Sequence, residues 1–358
     1  MFRGSRIPLC GCFRNPGESD LGPAQARVAD GPETEQEKEA AALMPRRFSW
    51  AEVEFATGKF ANSAVVVGEG GTSTVYLGRL PDFSLVAVKL HRPSERLHRA
   101  FRQELDVLLR LRHSHIVRFL GYCDDHEEEG ALVFEYVPKG SLHEKLHGRE
   151  ALPWSQRMAI ACQVAQSLEY LHEECDPQVV HGDVKAANVL LDGGMEAKLC
   201  DFGSARVGFS AAVGPPRSGL AMAVGSPGYI DPHYLRSGMV SKKCDVYSFG
   251  VLLLELVTGA EAFDAERERR LTAQMAPVLR NPAGRVAEAV DSRLRGAYDA
   301  GEASAVIAVA AVCVGSNPSL RPTMAEVVGI LREKTSSSIA AICDGKKRVV
   351  TSGSKMPI

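Results

Sequence analysis

The period of hydrophobic and polar positions changes twice along the chain. Between residues 65 and 90, short apolar runs predict strands: Val65-Val66-Val67, Thr74-Val75-Tyr76-Leu77 and Leu85-Val86-Ala87-Val88. Gly-rich and Pro-Asp turns separate them. From about Ser94 to Arg112 the period becomes helical, with Leu97, Phe101, Leu105 and Leu108 recurring at spacings of three and four. Two more short strands fit Val117–Tyr122 and Ala131–Tyr136. Beyond Pro138 the pattern is mostly helical: Trp154 to Leu171 is amphipathic, Tyr247 to Val257 is apolar, and Ala303 to Val314 is nearly all apolar. A small β-rich lobe is therefore expected ahead of a larger α-rich lobe. Both ends read as tails. Residues 1–46 are rich in Gly, Pro and Ala with an acidic stretch from Asp30 to Glu39, and residues 335–358 are Ser-rich, then basic at Lys346, Lys347 and Arg348.

Composition narrows the class. Of 358 residues, 45% are hydrophobic and 24% charged, enough apolar surface for a sizeable core, which excludes wholesale disorder. The net charge of -2 leaves no global electrostatic footprint for nucleic acid, so any phosphate chemistry must be local. The nine cysteines are odd in number and form no Cys-x-x-Cys unit, which fits free thiols in a reducing compartment. The longest uncharged apolar run, Ala303 to Val314, is short of the roughly 20 residues of a spanning helix, so no transmembrane segment is expected. Cys10 and Cys12, beside Arg3, Arg6 and Arg14, fit either S-acylation and peripheral membrane contact or two idle thiols in a tail.

Four motifs carry chemistry. Gly68-Glu69-Gly70-Gly71-Thr72-Ser73-Thr74-Val75 lies between two strand-like runs, where glycines let backbone N–H groups cover phosphates. Without a following Gly-Lys-Ser/Thr or helix it is neither a Walker loop nor a dinucleotide turn, and alone it equally fits a plain hairpin. In Val86-Ala87-Val88-Lys89, alternation puts Ala87 and Lys89 on one face. A lone strand lysine usually points to water, but Glu104, 15 residues on in the predicted helix, offers a carboxylate to hold it inward. Val180-His181-Gly182-Asp183-Val184-Lys185-Ala186-Ala187-Asn188 places a proton acceptor, a cation and an amide oxygen on one irregular loop. Asp201-Phe202-Gly203 follows 13 residues after Asn188 with a second metal-binding carboxylate.

In this order and spacing the motifs resemble the eukaryotic protein kinases. Gly225-Ser226-Pro227-Gly228-Tyr229, Asp245-Val246-Tyr247-Ser248-Phe249-Gly250 and Arg321-Pro322-Thr323-Met324 extend the resemblance over about residues 60–334. Phe48-Ser49-Trp50, Phe134 to Leu142 and Asn317 to Pro322 are similar to plant receptor-like kinases. With no ectodomain or spanning segment in view, the chain resembles the receptor-like cytoplasmic kinases. Lys185, two residues after Asp183, resembles the serine/threonine class.

The resemblance implies an α+β, bilobal protein kinase fold, with a β-rich N-lobe carrying one key helix and a larger helical C-lobe. It implies a tail over 1–46, an extension over 47–61, a kinase domain over 62–334 divided at 137/138, and a second tail from 335. It implies ATP and Mg²⁺ as cofactors. Lys89 would hold phosphates and pair with Glu104, Asp183 would accept the substrate hydroxyl proton, and Lys185 would offset phosphoryl charge. Asn188 and Asp201 would bind the metal. Val67, Gly68, Glu69, Gly70 and Gly71 would cover the nucleotide. Val75, Ala87 and Leu190 would sandwich the adenine, and Glu135 to Val137 would hydrogen-bond it through the backbone behind Phe134. Implied partners are proteins with Ser/Thr acceptors and a membrane receptor complex, with no nucleic acid, in the cytoplasm or at the inner face of the plasma membrane.

Three positions depart from the family pattern. Ser73 replaces the third loop glycine. Gly182 replaces the arginine that couples activation-segment phosphorylation to activity, which implies a kinase that does not need that phosphorylation. His233 replaces the glutamate that usually pairs with the arginine matching Arg321, so that arginine needs another partner or the C-lobe loosens. These departures keep a second reading open, a pseudokinase scaffold.

Overall fold

The computed structural model describes residues 44–342, with 62, 71–72, 92–94, 126–129 and 209–224 outside the described residues. Cys10, Cys12 and Gly71, with most of both predicted tails, fall outside them. The N-terminal lobe is a six-stranded sheet. Its strands are β1 (Arg46–Arg47), β2 (Val66–Glu69), β3 (Ser73–Arg79), β4 (Leu85–His91), β5 (Phe119–Cys123) and β6 (Ala131–Glu135), in the order β1-β5-β6-β4-β3-β2. All neighbours are antiparallel except β1 and β5. β1 exists because Phe48 N–H donates to Tyr122 O (2.8 Å) and Phe48 packs with Val86, Val88 and Val133 in a small core. α1 (Trp50–Thr57) follows a reciprocal cap: Glu52 N–H donates to Ser49 Oγ, and Ser49 N–H donates to Glu52 Oε2 (2.8 Å). α2 (Glu95–Leu108) is the predicted helix of this lobe, with Phe101, Leu105 and Leu108 buried.

The C-terminal lobe is built on α3 (Leu142–Leu146), α4 (Trp154–Glu169), α5 (Pro232–Ser237), α6 (Lys242–Thr258), α7 (Ala300–Cys313) and α8 (Met324–Lys334). α6 is buried almost all round, from Asp245 to Val257, as its continuous apolar run predicts. Short strand pairs bring loops together: β7 (Val179–Val180) with β10 (Arg206–Val207), and β8 (Val189–Leu191) with β9 (Ala197–Leu199).

Two boundaries need correction. Arg46, the last residue of the expected first tail, lies in β1 opposite Gly121. The tail expected from residue 335 is ordered for eight residues more: Thr335 is buried, its N–H and hydroxyl both donate to Leu331 O, and 336–342 are helical. All six cysteines among the described residues are free. No helix among them is long and apolar enough to cross a membrane.

Candidate active site

β4 alternates as predicted. Val86 and Val88 enter the small core, while Ala87 and Lys89 take the opposite face. That face meets α2, where Glu104 is only 1% exposed. Lys89 Nζ donates to both Glu104 oxygens, at 2.8 and 2.9 Å, and to Asp201 Oδ1 at 2.8 Å. Burial pulls the Lys89 ammonium down, but the Glu104 and then the Asp201 charges outweigh it and hold it well above its ordinary range. Burial likewise pushes the Asp201 carboxyl up, and the charge and hydrogen bond of Lys89 overcome this and bring it to about 2. Asp201 adopts φ 63, a left-handed conformation that costs a non-glycine residue roughly 1–3 kcal/mol. A Cβ on Gly203 would lie 3.4 Å from both Asp201 Oδ1 and Glu104 Oε2, so the turn packs directly against this junction.

A second cluster sits on the loop between β7 and β8. Lys185 Nζ donates to Asp183 Oδ2 (2.7 Å), and Asn188 Nδ2 donates to Asp183 O (2.8 Å) and Oδ2 (3.1 Å). With its NH₂ so used, Asn188 has its amide oxygen left as an acceptor. Cys200 N–H donates to Asn188 O (2.9 Å), which ties Asn188 to the residue before Asp201. Ser226 joins them: its hydroxyl donates to Asp183 Oδ1 (2.9 Å) and accepts from Lys185 Nζ (2.8 Å). The loop hangs from Asp245 of α6. That carboxylate accepts the amides of His181 (2.8 Å) and Gly182 (2.9 Å), and His172 Nε2 lies 2.8 Å from it. Tyr229 adds a further tie, since its hydroxyl accepts Ala186 N–H (3.2 Å) and donates to buried Glu255.

The cleft walls are apolar and only half covered. Val75 and Leu77 lie opposite Lys89 and Ala87 in register, so all four share one face, and Phe134 lies opposite Ala87. Leu190 is half-buried between fully buried Val189 and Leu191. Val67 and Glu69 are exposed on β2 beside Gly68, and Gly70 N–H closes the hairpin onto Ser73 O (2.9 Å). Ser73 is itself buried, opposite His91. Glu135 Oε1 accepts from Arg118 N–H (2.9 Å) and lies 3.3 Å from Lys198 Nζ, its backbone N–H donates to Arg118 O (3.0 Å), and Val137 beyond it is buried. Asp245, Ser226 and Tyr229 were not among the expected site residues. The stretches that hold them, Gly225 to Tyr229 and Asp245 to Gly250, carried the family resemblance, but nothing in them assigned these side chains to the site.

The protein kinase domain family matches residues 62–330. The chain belongs to the protein kinase family. It is similar to the salt tolerance receptor-like cytoplasmic kinase 1 of Oryza sativa subsp. japonica, 54% identical over 96% of this chain and 97% of that protein. It is 48% identical to a probable receptor-like protein kinase of Arabidopsis thaliana, over 79% of this chain and 86% of that one. A probable LRR receptor-like protein kinase of the same plant is 40% identical over 80% of this chain but only 32% of its own length. The kinase unit is thus shared, and the ordered lobes are the β-rich and helical lobes of this fold.

Two family departures find physical accounts. Gly182 has φ +80, and a Cβ there would meet Ser204 O at 2.8 Å, so this backbone is built around glycine. The missing glutamate at His233 is replaced from two residues upstream. Asp231 accepts from Arg321 Nη1 (2.6 Å) and Nη2 (2.9 Å), a two-point pair with both side chains 1% exposed, while its Oδ1 also caps α5 through His233 N–H. Of the two outcomes expected of His233, another partner for Arg321 or a looser C-lobe, the structure has the first.

Proposed function

We propose that this kinase is catalytically active and transfers the γ-phosphoryl group of Mg-ATP to Ser/Thr hydroxyls of proteins, acting in the cytoplasm beneath plant receptors. The observation that carries the reading is Lys89 held at once by Glu104 and Asp201 while Asp183, Lys185 and Asn188 share one hydrogen-bonded cluster. A scaffold has no use for so complete a set of converging charges, least of all a carboxylate as deeply buried as Glu104, which is costly to desolvate.

The residues suit the expected ligands. Asp201 and the Asn188 amide oxygen are hard oxygen donors, and two such groups are what Mg²⁺ takes when phosphates supply the rest. Among the described residues there is no cluster of three or more His, Cys, Asp or Glu to suggest a metal cage of another kind. Mg²⁺, when bound with ATP, would offset charge on the phosphate oxygens. Lys89, charged at any working pH, would hold phosphates with a direction fixed by Glu104. Asp183 would accept a hydrogen bond from the incoming hydroxyl and take its proton, and Lys185 would lie beside the developing phosphoryl charge. Ser226 gives support from within the chain, since its hydroxyl already donates to Asp183 and accepts from Lys185. The apolar face of Val75, Ala87 and Leu190 suits a flat base, with Phe134, Glu135 and Val137 along its edge. Catalysis would be positioning and charge stabilisation.

The test is incubation of purified protein with Mg-ATP and a generic protein substrate, beside Asp183→Asn and Lys89→Met. Phosphoserine and phosphothreonine above the level of both variants are expected. Equal labelling from all three, with ATP still raising the melting temperature, would identify a scaffold.

A further inference from the structure

The helix over 336–342 is held by a carboxylate. Glu302 on α7 is 4% exposed and accepts from Trp154 Nε1 (2.8 Å), Ser337 Oγ (2.5 Å), Ser338 Oγ (2.6 Å) and Ser338 N–H (3.1 Å). Burial pushes its carboxyl up, but the bonds from Ser337, Ser338 and Trp154 outweigh this and keep it below the usual range, so it is ionised. Apolar anchoring of 336–342 is slight: no residue in it is buried, and Ser336, Ser337, Ala340 and Ala341 are exposed. A segment of this length is not stable as a free helix. Its docking therefore depends on hydroxyl and amide donors meeting one buried negative charge. The helix also walls two clefts, one of about 480 Å³ lined by Trp154, Tyr298, Arg293 and Ser338, the other of about 390 Å³ lined by Cys162, Arg332 and Ile339.

We propose that Ser337 is a phosphoryl-acceptor site and that its modification releases the helix over 336–342 from Glu302. The residue is exposed while its hydroxyl is bound to the carboxylate, so it can be reached from solvent. In the modification the Ser337 O–H bond gives way to an O–P bond. The γ-phosphoryl leaves the diphosphate of a nucleoside triphosphate, and the hydroxyl proton passes to the modifying enzyme's base. The product has lost the donor that Glu302 needs and carries about -1.5 to -2 charge against it. A phosphate near a helix start gains from the local amides, but lost bonds to a charged acceptor and like-charge repulsion outweigh that gain. Trp154 and Ser338 then face a carboxylate open to water, and the two clefts lose their common wall.

The assignment does not rest on the kinase's own activity, and its test separates the two. The full chain and its Asp183→Asn variant are expressed in plant cells and phosphopeptides mapped. Phosphoserine at 337 in both assigns a second kinase, phosphoserine in the wild type alone assigns self-modification, and absence from both overturns the acceptor assignment. Full-length protein with phosphoserine installed at 337 is then followed by hydrogen exchange. Amide protection over 336–342 is expected to fall about tenfold or more, and by far less with Glu302→Gln beside it. Unchanged protection, or equal loss in both backgrounds, would overturn the release.

Discussion

Removing Asp231 tests how this kinase compensates for His233. In Asp231→Ala, Arg321 stays buried with its charge and loses both carboxylate bonds. Leaving one member of a buried ion pair without its partner costs about 3–5 kcal/mol. Gly315 O (2.9 Å) and Lys243 O (2.8 Å) still accept from the guanidinium, which favours the lower end. The α5 cap is lost as well, worth about 0.5–2 kcal/mol. A net loss near 4 kcal/mol, at about 2–4 °C per kcal/mol for a unit of this size, lowers the melting temperature by about 8–16 °C. The assay is differential scanning calorimetry of the purified chain, with His233→Glu alongside. That variant adds a carboxylate when Arg321 is already satisfied by Asp231, so no rise in melting temperature is expected from it. A fall of less than about 3 °C for Asp231→Ala, or a clear rise for His233→Glu, would refute the argument that Asp231 has taken over the pairing.

Other outcomes follow from the same geometry. Gly182→Ala is expected to cost about 1–3 kcal/mol in urea unfolding, from the positive φ and the contact with Ser204 O. Glu104→Gln is expected to weaken nucleotide binding by about tenfold while Asp183→Asn leaves it nearly unchanged, as read by calorimetric titration. Asp291 is pushed up by burial but held near 2 by Arg293 and Arg157. Its carboxyl is depressed on folding, so its stabilisation is whole above the ordinary value of 3.8 and is lost as pH falls toward 2. Asp291→Asn is therefore expected to flatten the acid limb of the stability–pH curve over that window.

β2 to β6, the helices α2, α4, α6 and α7, and the paired Lys89 and Glu104 were legible in the sequence because each depends on local period or on a short separation. Asp245 was not, since nothing near it in sequence shows that its carboxylate will meet the amides of His181 and Gly182, more than 60 residues away. Arg321 shows the same limit. Family pattern pointed to position 233, while the fold delivers its partner from 231, where one carboxylate caps a helix and closes an ion pair across 90 residues. The helix over 336–342 escaped notice because a serine run carries no apolar period. Its order comes from Glu302, on another helix.

Catalysis by Asp183 is read in the single-turnover rate of γ-phosphoryl transfer from Mg-ATP to a protein hydroxyl, for wild type and Asp183→Asn matched in melting temperature. A rate about 10²–10⁴-fold higher in the wild type is expected, the usual contribution of a positioned base. Equal rates, at the level of ATP with no enzyme present, would contradict it.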